Sequence, residues 1–580
     1  MPARPLIAVA ILLVVWSAAA RANGQTVGGP SAAAQSQSGE PARAAAVDKL
    51  FAAWDHTDTP GCMVAVLRDG TAVYQCGYGM ADLGHEVRIG ADTVFNVASV
   101  TKQFTAFCVH KLAQEGRLSL DDDVRKHVPE LHDFGPKITL RHLLNHTSGL
   151  RDYFRAMSLA GWRYDDPHLK QDVLDFIWRQ GELNFPPGEQ YDYCNTGYVL
   201  LALIVERITG RSFADYATDT ILRPLGMNSS RFGDDYERVV RNAAESYYPI
   251  EGGFHRAYTL LNELGDGGLL TTAEDLAKWD ANFYDAKVGG RALLDAMQQR
   301  GRLRDGTEIA YASGLAVDRY RGLRTVEHSG GIAGFRADIL RFPDRHLSVI
   351  LLANAGDFDA PALARRVAEL YLGGEMEPAG APPRPEPNRR VPVAVSPKLI
   401  DAYVGDYRFP GYVRTFIREG DHLVLKADAL TLRLYPASAT TFFPKEYPTA
   451  YTFDRPIGSK SQRVVRDSGI DQAPGDRIDP APPSAEQLAA ETGRYYSEEL
   501  ATLCTVAERN GGLEIRLPKH TLALKPIGAG SFAVENDEIN TSVRFIVGHN
   551  RSAVAFLVDS DNGRLRNLRF TRIDLRPPHA

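Results

Sequence analysis

The sequence predicts an α/β fold: one mixed domain with strands at its two ends and helices between, followed by two small antiparallel β-barrel-like domains. Three observations carry this. The chain has 580 residues, and at roughly 100–200 residues per domain that length calls for two to four domains. Helical and strand patterns alternate from about 45 to 373, whereas beyond 397 short alternating β runs dominate. Proline-rich stretches at 374–396 and 469–485 separate these regions and read as semi-rigid spacers.

Composition removes several classes. Hydrophobic residues make up 44% and charged residues 24%, the ordinary globular balance, which excludes collagen, coiled coil and wholesale disorder. The formal charge of −6 and the lack of a Lys/Arg run give no footprint for nucleic acid or an anionic membrane surface.

The elements follow in order. Residues 1–22 have the form of a secretory signal peptide: Arg4, an unbroken apolar run Leu6–Trp16, and the small-x-small triplet Ala20-Arg21-Ala22, with cleavage expected after Ala22. The run is short for a membrane span, so the expectation is a periplasmic or secreted protein with no stable span after cleavage. Residues 23–44, rich in Gly, Ala, Ser and Gln, read as a flexible linker. In the mixed domain, 45–373, Ala46–Trp54 reads as a helix and Met63–Tyr78 as a hairpin. Thr101–Glu115 reads as a helix stopped by Gly116, and Gly197–Thr209 as an apolar helix stopped by Gly210. Ala333–Phe342 and Leu347–Ala353 look like paired strands, and Pro361–Leu372 closes the domain as a helix with proline in its first turn.

Five cysteines in an exported chain leave at least one unpaired. A three-residue turn at Arg68-Asp69-Gly70 would set Cys62 opposite Cys76; whether the two form a disulfide is left open. No CxxC occurs.

The two β domains, 397–468 and 486–576, look like repeats. Asp421–Phe443 aligns without gaps on Gly511–Ala533, with the identical pairs Leu423/Leu513, Leu434/Leu524, Pro436/Pro526 and Phe442/Phe532. Gly405-Asp406-Tyr407 matches Gly493-Arg494-Tyr495 after a small slip. An ordered apolar series of this kind points to duplication. Neither repeat holds a grouping of chemical residues. Held close by their spacers, they are expected to shape specificity without carrying the chemistry; whether a loop from either reaches the cleft of the mixed domain is left open.

The chemistry concentrates in three motifs. Ser99 and Lys102 lie three apart in Phe95–Phe104, so on a helix both side chains share a face. A serine hydroxyl needs a base within reach, and a lysine serves once burial favours its neutral form. Tyr193 and Asn195, two apart in an extended loop before an apolar helix, project to one side. Glu327-His328-Ser329-Gly330-Gly331-Ile332 follows at the edge of a β segment. No G-x-S-x-G or H-E-x-x-H is present; His142 and His146 read as a helix end and a turn, and no metal or other cofactor is expected.

The order S-x-x-K, Y-x-N, H-x-G resembles the serine β-lactamase and penicillin-binding-protein superfamily, closest to class C β-lactamases, DD-carboxypeptidases, D-aminopeptidases and related esterases. The segments Arg141–Leu150, Pro224–Met227 and Gly267–Leu276 match the family pattern as well. The resemblance implies an antiparallel sheet flanked by helices, plus an all-helical region. It implies Ser99 as nucleophile, Lys102 as the activating base and Tyr193 as proton shuttle. Asn195 would bond a substrate amide or the lysine. The backbone N–H of Gly331, beside Gly330, would complete an oxyanion hole with that of Ser99. His328 stands where lactamases carry lysine. A partly charged histidine weakens the β-lactamase reading and leaves the peptidase and esterase branches open. Cys194 between Tyr193 and Asn195 reads as a small packing residue. The arrangement implies an exported serine hydrolase working through an acyl-enzyme on a small-molecule or short-peptide substrate, of the D-aminopeptidase or DD-carboxypeptidase type. A carboxylesterase is the alternative; a β-lactamase or a non-catalytic binding protein ranks behind both.

Overall fold

In the mixed domain the described chain runs, among shorter elements, through α1 (Glu40–Phe51), β1 (Cys62–Arg68), β2 (Thr71–Tyr78), α2 (Lys102–Gln114) and α3 (Asn195–Thr209). It continues through β3 (Ala316–Tyr320), β4 (Leu323–Ile332), β5 (Phe335–Phe342), β6 (Leu347–Ala353) and α4 (Ala360–Leu372). This computed structural model describes residues 40–573 except 164, 263, 379–389, 391, 410–411, 428–429, 445–448, 457–459, 468–471, 479–482, 529, 535–540, 550 and 561–564. The expected signal peptide, 1–22, and most of the expected linker, 23–44, lie outside the described residues.

One antiparallel sheet, in the order β3-β4-β5-β6-β1-β2, organises the domain. Strand β1 is buried on both faces and reads apolar throughout rather than alternating. Its Cys62, Val64 and Val66 sink into a cluster with Val47 and Phe51 of α1 and Ala364 and Val367 of α4. Met63, Ala65 and Leu67 face the other way, into the cluster that holds Phe104, Phe107 and Trp279. That second layer is the helical region. Its centre, α3, is buried from Thr196 to Val205 and stops where Gly210 takes φ +69, a left-handed cap that glycine adopts without strain.

Two expectations for the N-terminal part are corrected. The first helix starts at Glu40, inside the segment expected to be linker, because Val47 and Phe51, four apart, both bury against the sheet. The hairpin turn has two residues, Asp69-Gly70, not three: Arg68 faces Thr71, and a bulge then shifts the register, so Cys62 faces Tyr78 and Cys76 faces Val64. All five cysteines are free.

The C-terminal part forms two closed eight-stranded antiparallel barrels. Gly405–Phe409 closes the first by pairing with both Tyr412–Glu419 and Gln472–Ile478. The segment 469–485 is therefore not wholly a spacer, since it supplies the closing strand. Gly493–Ser497 closes the second, pairing with Thr502–Arg509 and Leu565–Arg572. The repeat holds at the level of register: Leu423 faces Leu434 and Leu513 faces Leu524. These four, with Phe442 and Phe532, are buried in the two barrel cores. Short helices that the β patterning hid, Pro397–Tyr403 and Ala485–Glu491, precede each barrel with a serine cap, Ser396 and Ser484.

The barrels are not equivalent in placement. The apolar core of the second is continuous with that of the mixed domain, while the first has a separate core. The first barrel leans on the second through Lys525, whose Nζ donates to Asp406 Oδ1 at 2.9 Å. No helix among the described residues is long and apolar enough to cross a membrane.

Candidate active site

Ser99 sits in a 3₁₀ turn, Ala98–Thr101, that runs straight into α2. The turn is held from both sides. Asn96 Oδ1 accepts the Ala98 N–H at 2.9 Å, and Thr101 Oγ1 donates to the Ala98 carbonyl at 2.6 Å. Ala98 itself takes φ +46. An L side chain adopts that region only under strain, which the surroundings here impose next to a candidate nucleophile. The start of α2 adds a partial positive charge beside Ser99.

Lys102, one turn on, has no exposed surface. Its Nζ donates to Ser99 Oγ at 3.1 Å, Asn195 Oδ1 at 2.8 Å and the Asp266 carbonyl at 2.7 Å, so its three donors are all engaged. Burial pulls its pKa down to about 8, against the opposing pull of the Asp266 and Asp152 carboxyls. The Nζ lies 4.9 Å from the centre of the Tyr193 ring.

Tyr193 is half-buried with its hydroxyl sealed from solvent, and that burial raises its phenol well above the usual range. Its hydroxyl neighbours Ser99, which partly offsets that rise, but it meets no hydrogen-bond geometry in the resting structure. Apo geometry of this looseness does not exclude a proton-transfer role. Asn195 opens α3 and faces Lys102 rather than open solvent. Cys194 points away from both, its Sγ 3.3 Å from the Leu150 carbonyl, and burial raises its thiol pKa.

Strand β4 supplies the third wall. A Cβ on Gly330 would fall 2.1 Å from the Val97 carbonyl and 3.1 Å from the Ser99 nitrogen, so only glycine lets β4 approach the serine turn. Gly331, the next residue, lines the cleft together with Ser99. His328 does not line it. Its ring is buried, with Nδ1 2.6 Å from the Ser329 carbonyl and Nε2 2.8 Å from the Tyr311 hydroxyl. A carbonyl only accepts, so Nδ1 carries the proton and Nε2 accepts from Tyr311. Burial and the nearby Lys102 push its pKa down to about 3. The expected partial charge at neutral pH is thus corrected to a neutral imidazole.

The cleft is about 550 Å³ and its walls carry Phe154, Tyr258, Ile332 and Phe335 beside Ser99. Among the described residues no barrel residue lines it.

Three site residues escaped the sequence reading. Asp152 Oδ2 accepts the Asn195 N–H at 2.6 Å. Asp266 lends its carbonyl to Lys102 and takes the Tyr153 hydroxyl at 3.0 Å on its carboxylate. Tyr311 holds Nε2 of His328 through its hydroxyl, the tautomer being set by the Ser329 carbonyl. Asp152 falls two residues past the quoted segment ending at Leu150, and Asp266 one residue before Gly267, so proximity to a motif was the available signal.

A hydroxyl held by a buried, readily neutralised lysine, with a helix N-terminus behind it and a close-packed strand across the cleft, has the parts for acyl transfer. The fold and its relatives define the class, a serine hydrolase of the β-lactamase fold. The Beta-lactamase family profile matches residues 46–372, and the chain belongs to that family. It is 31% identical over 402 residues to penicillin-binding protein 4* of Bacillus subtilis (strain 168), covering 66% of this chain and 87% of that one. It is 30% identical over 329 residues to a D-aminopeptidase of Cereibacter sphaeroides (strain ATCC 17029 / ATH 2.4.9), covering 56% of this chain and 62% of the relative's length. The octameric penicillin-binding protein homologue from Pyrococcus abyssi aligns with a TM-score of 0.54 at 24% identity, covering 75% of this chain and 99% of that one, a likeness of fold.

Proposed function

We propose that this protein is an exported serine hydrolase that works through an acyl-enzyme on Ser99, with a peptide or amide of the D-aminopeptidase type as its substrate. The observation that carries the reading is the 3.1 Å contact from Nζ of the fully buried Lys102 to Oγ of Ser99 on the cleft wall. Neutral Lys102 takes the Ser99 proton as Oγ attacks the substrate carbonyl. The N–H groups of Ser99 and Gly331 receive the oxyanion. Tyr193, on the cleft wall beside Ser99, passes its phenol proton to the leaving nitrogen and regains one from Lys102, and water then releases the acyl group. The kinship with D-aminopeptidase supports the amide reading, and the N-terminal residues 1–22 support export. The site offers no fixed cation at His328, which counts against substrates recognised by a free carboxylate there, β-lactams among them.

A carboxylesterase is the second reading, favoured by the aromatic wall of Phe154, Tyr258 and Phe335. Turnover of D-aminoacyl amides, their L-enantiomers, short-chain aryl esters and a chromogenic cephalosporin separates the readings. The expected result is D-amide hydrolysis well above cephalosporin hydrolysis. Aryl esters turned over with no amide activity would replace the proposal by the second reading.

The rate should also report Lys102. Its depressed pKa of about 8 means that the neutral, proton-accepting form grows as pH rises through 8. kcat/KM is expected to climb through a limb near pH 8 and level off above it. A profile flat from pH 6 to 9 would remove Lys102 from the role of base.

A further inference from the structure

The second barrel reaches the reaction centre through one side chain. Arg151 has a fully buried side chain. Its Nη1 donates to both carboxylate oxygens of Glu499, at 2.9 and 2.8 Å, and to the Glu182 carbonyl at 2.8 Å. Its Nη2 and Nε donate to the Arg566 carbonyl at 2.8 and 3.3 Å. Glu499 and Arg566 belong to the second barrel, so most of this guanidinium's partners come from a domain none of whose described residues lines the cleft. Glu499 is committed in turn: its Oε1 takes the Gly181 N–H at 3.4 Å, and its carbonyl takes Arg179 Nε at 3.1 Å.

The backbone of the same short segment holds the site. The Arg151 carbonyl accepts from Thr196 Oγ1 at 2.8 Å, and Thr196 Oγ1 accepts the Tyr153 N–H at 3.0 Å. Asp152 takes the Asn195 N–H, and the Tyr153 hydroxyl donates to Asp266. Asn195 and Asp266 supply two of the three acceptors that fix Lys102. We propose that Glu499 is a positioning residue: by anchoring Arg151 it holds the 151–153 segment, and through it Asn195 and Asp266, so that Lys102 stays in hydrogen-bond reach of Ser99.

The alternative is that the ion pair merely glues two domains. Physical chemistry separates the two. Removing one partner of a buried pair leaves the other charge uncompensated, and Arg151 would then shift toward the exposed Glu182 carboxylate, 3.7 Å away. Here the residue that would move precedes Asp152 directly. A displacement of about 1 Å in a reacting geometry can cost about 10²-fold. A contact that only docks the barrel has no such path. Lys519 to Asp166 is an ion pair of that kind, joining the same two domains at the surface.

This inference rests on Ser99 being the nucleophile, and the test keeps the two apart. The full-length protein, Glu499→Gln, Glu499→Asp and Lys519→Ala are each reacted with a fluorophosphonate, and kcat and KM are measured on the best substrate. Glu499→Gln keeps the volume and loses the charge. Its labelling rate and kcat are expected to fall by about 10- to 100-fold with KM within about threefold. Glu499→Asp should recover part of that loss, and Lys519→Ala should match the unsubstituted protein. Glu499→Gln folded and labelling at the unsubstituted rate overturns the proposal, as does Lys519→Ala losing as much as Glu499→Gln. Should Glu499→Gln fail to fold, Arg151→Lys, which keeps the charge but loses the grip on both Glu499 oxygens and the Arg566 carbonyl, decides by the same standard, a normal rate overturning the proposal. An unsubstituted protein that never labels would instead defeat the Ser99 reading itself.

Discussion

Ser99→Ala lowers kcat by on the order of 10⁴–10⁶, the loss seen when a nucleophile that works as a unit with its base is removed. The 3₁₀ turn carrying it is secured by Asn96 and Thr101, not by Ser99 Oγ, so the backbone should stay in place. The thermal midpoint is expected to stay within a few degrees of the unsubstituted protein. The other groups at the cleft cannot take over. Cys194 is buried with its thiol turned to Leu150, and Tyr193 is held protonated by burial. Steady-state turnover on the best amide or ester, with a melt on the same sample, checks both halves. Residual activity above about one per cent would mean that Ser99 does not carry the covalent step.

Lys102→Ala is the second large effect, with a loss on the order of 10²–10⁴, the usual range for a general base. The deletion removes the proton acceptor and strands buried acceptors on Asn195 and Asp266 as well. Some stability should be lost with it. Lys102→Arg separates these effects. Arginine keeps a charge and donors but does not shed a proton near neutral pH. It should therefore be as inactive as Lys102→Ala, read by kcat on the same substrate. An active Lys102→Arg would show that the lysine serves as a fixed charge and that another group accepts the proton.

Much of the site was legible because its motifs are local. Ser99 and Lys102 are three residues apart, and helical geometry alone brings them together. Tyr193 and Asn195 precede an apolar run whose end at Gly210 is visible. What the sequence concealed depends on tertiary placement. Lys102 and Asp266 are 164 residues apart, and Arg151 and Glu499 are 348 apart. No spacing rule reaches that far. His328 was read as half-charged because burial, which decides its state, belongs to the folded chain. The barrels show the same division. Leu423, Leu434 and Phe442 repeat at Leu513, Leu524 and Phe532 because both cores need them. The closing strand Gln472–Ile478 carries Pro474 and Gly475, which argue against a strand by composition. It exists because Gly405–Phe409 and Arg463–Asp467 bracket it in the barrel. The hairpin register slipped by two residues for smaller reasons, a turn of two residues instead of three and a single bulged residue near Val73.

The central claim is a covalent acyl-enzyme on Ser99, and the mass of a trapped adduct tests it most directly. The full-length protein is treated with a fluorophosphonate, digested, and the modified peptide sequenced by mass spectrometry. The account predicts one adduct per chain, on Ser99 in the peptide that ends at Lys102, forming faster as pH rises through about 8. An adduct on any other residue, or an unmodified Ser99 under conditions where a related active-site-serine enzyme is fully labelled, would contradict it.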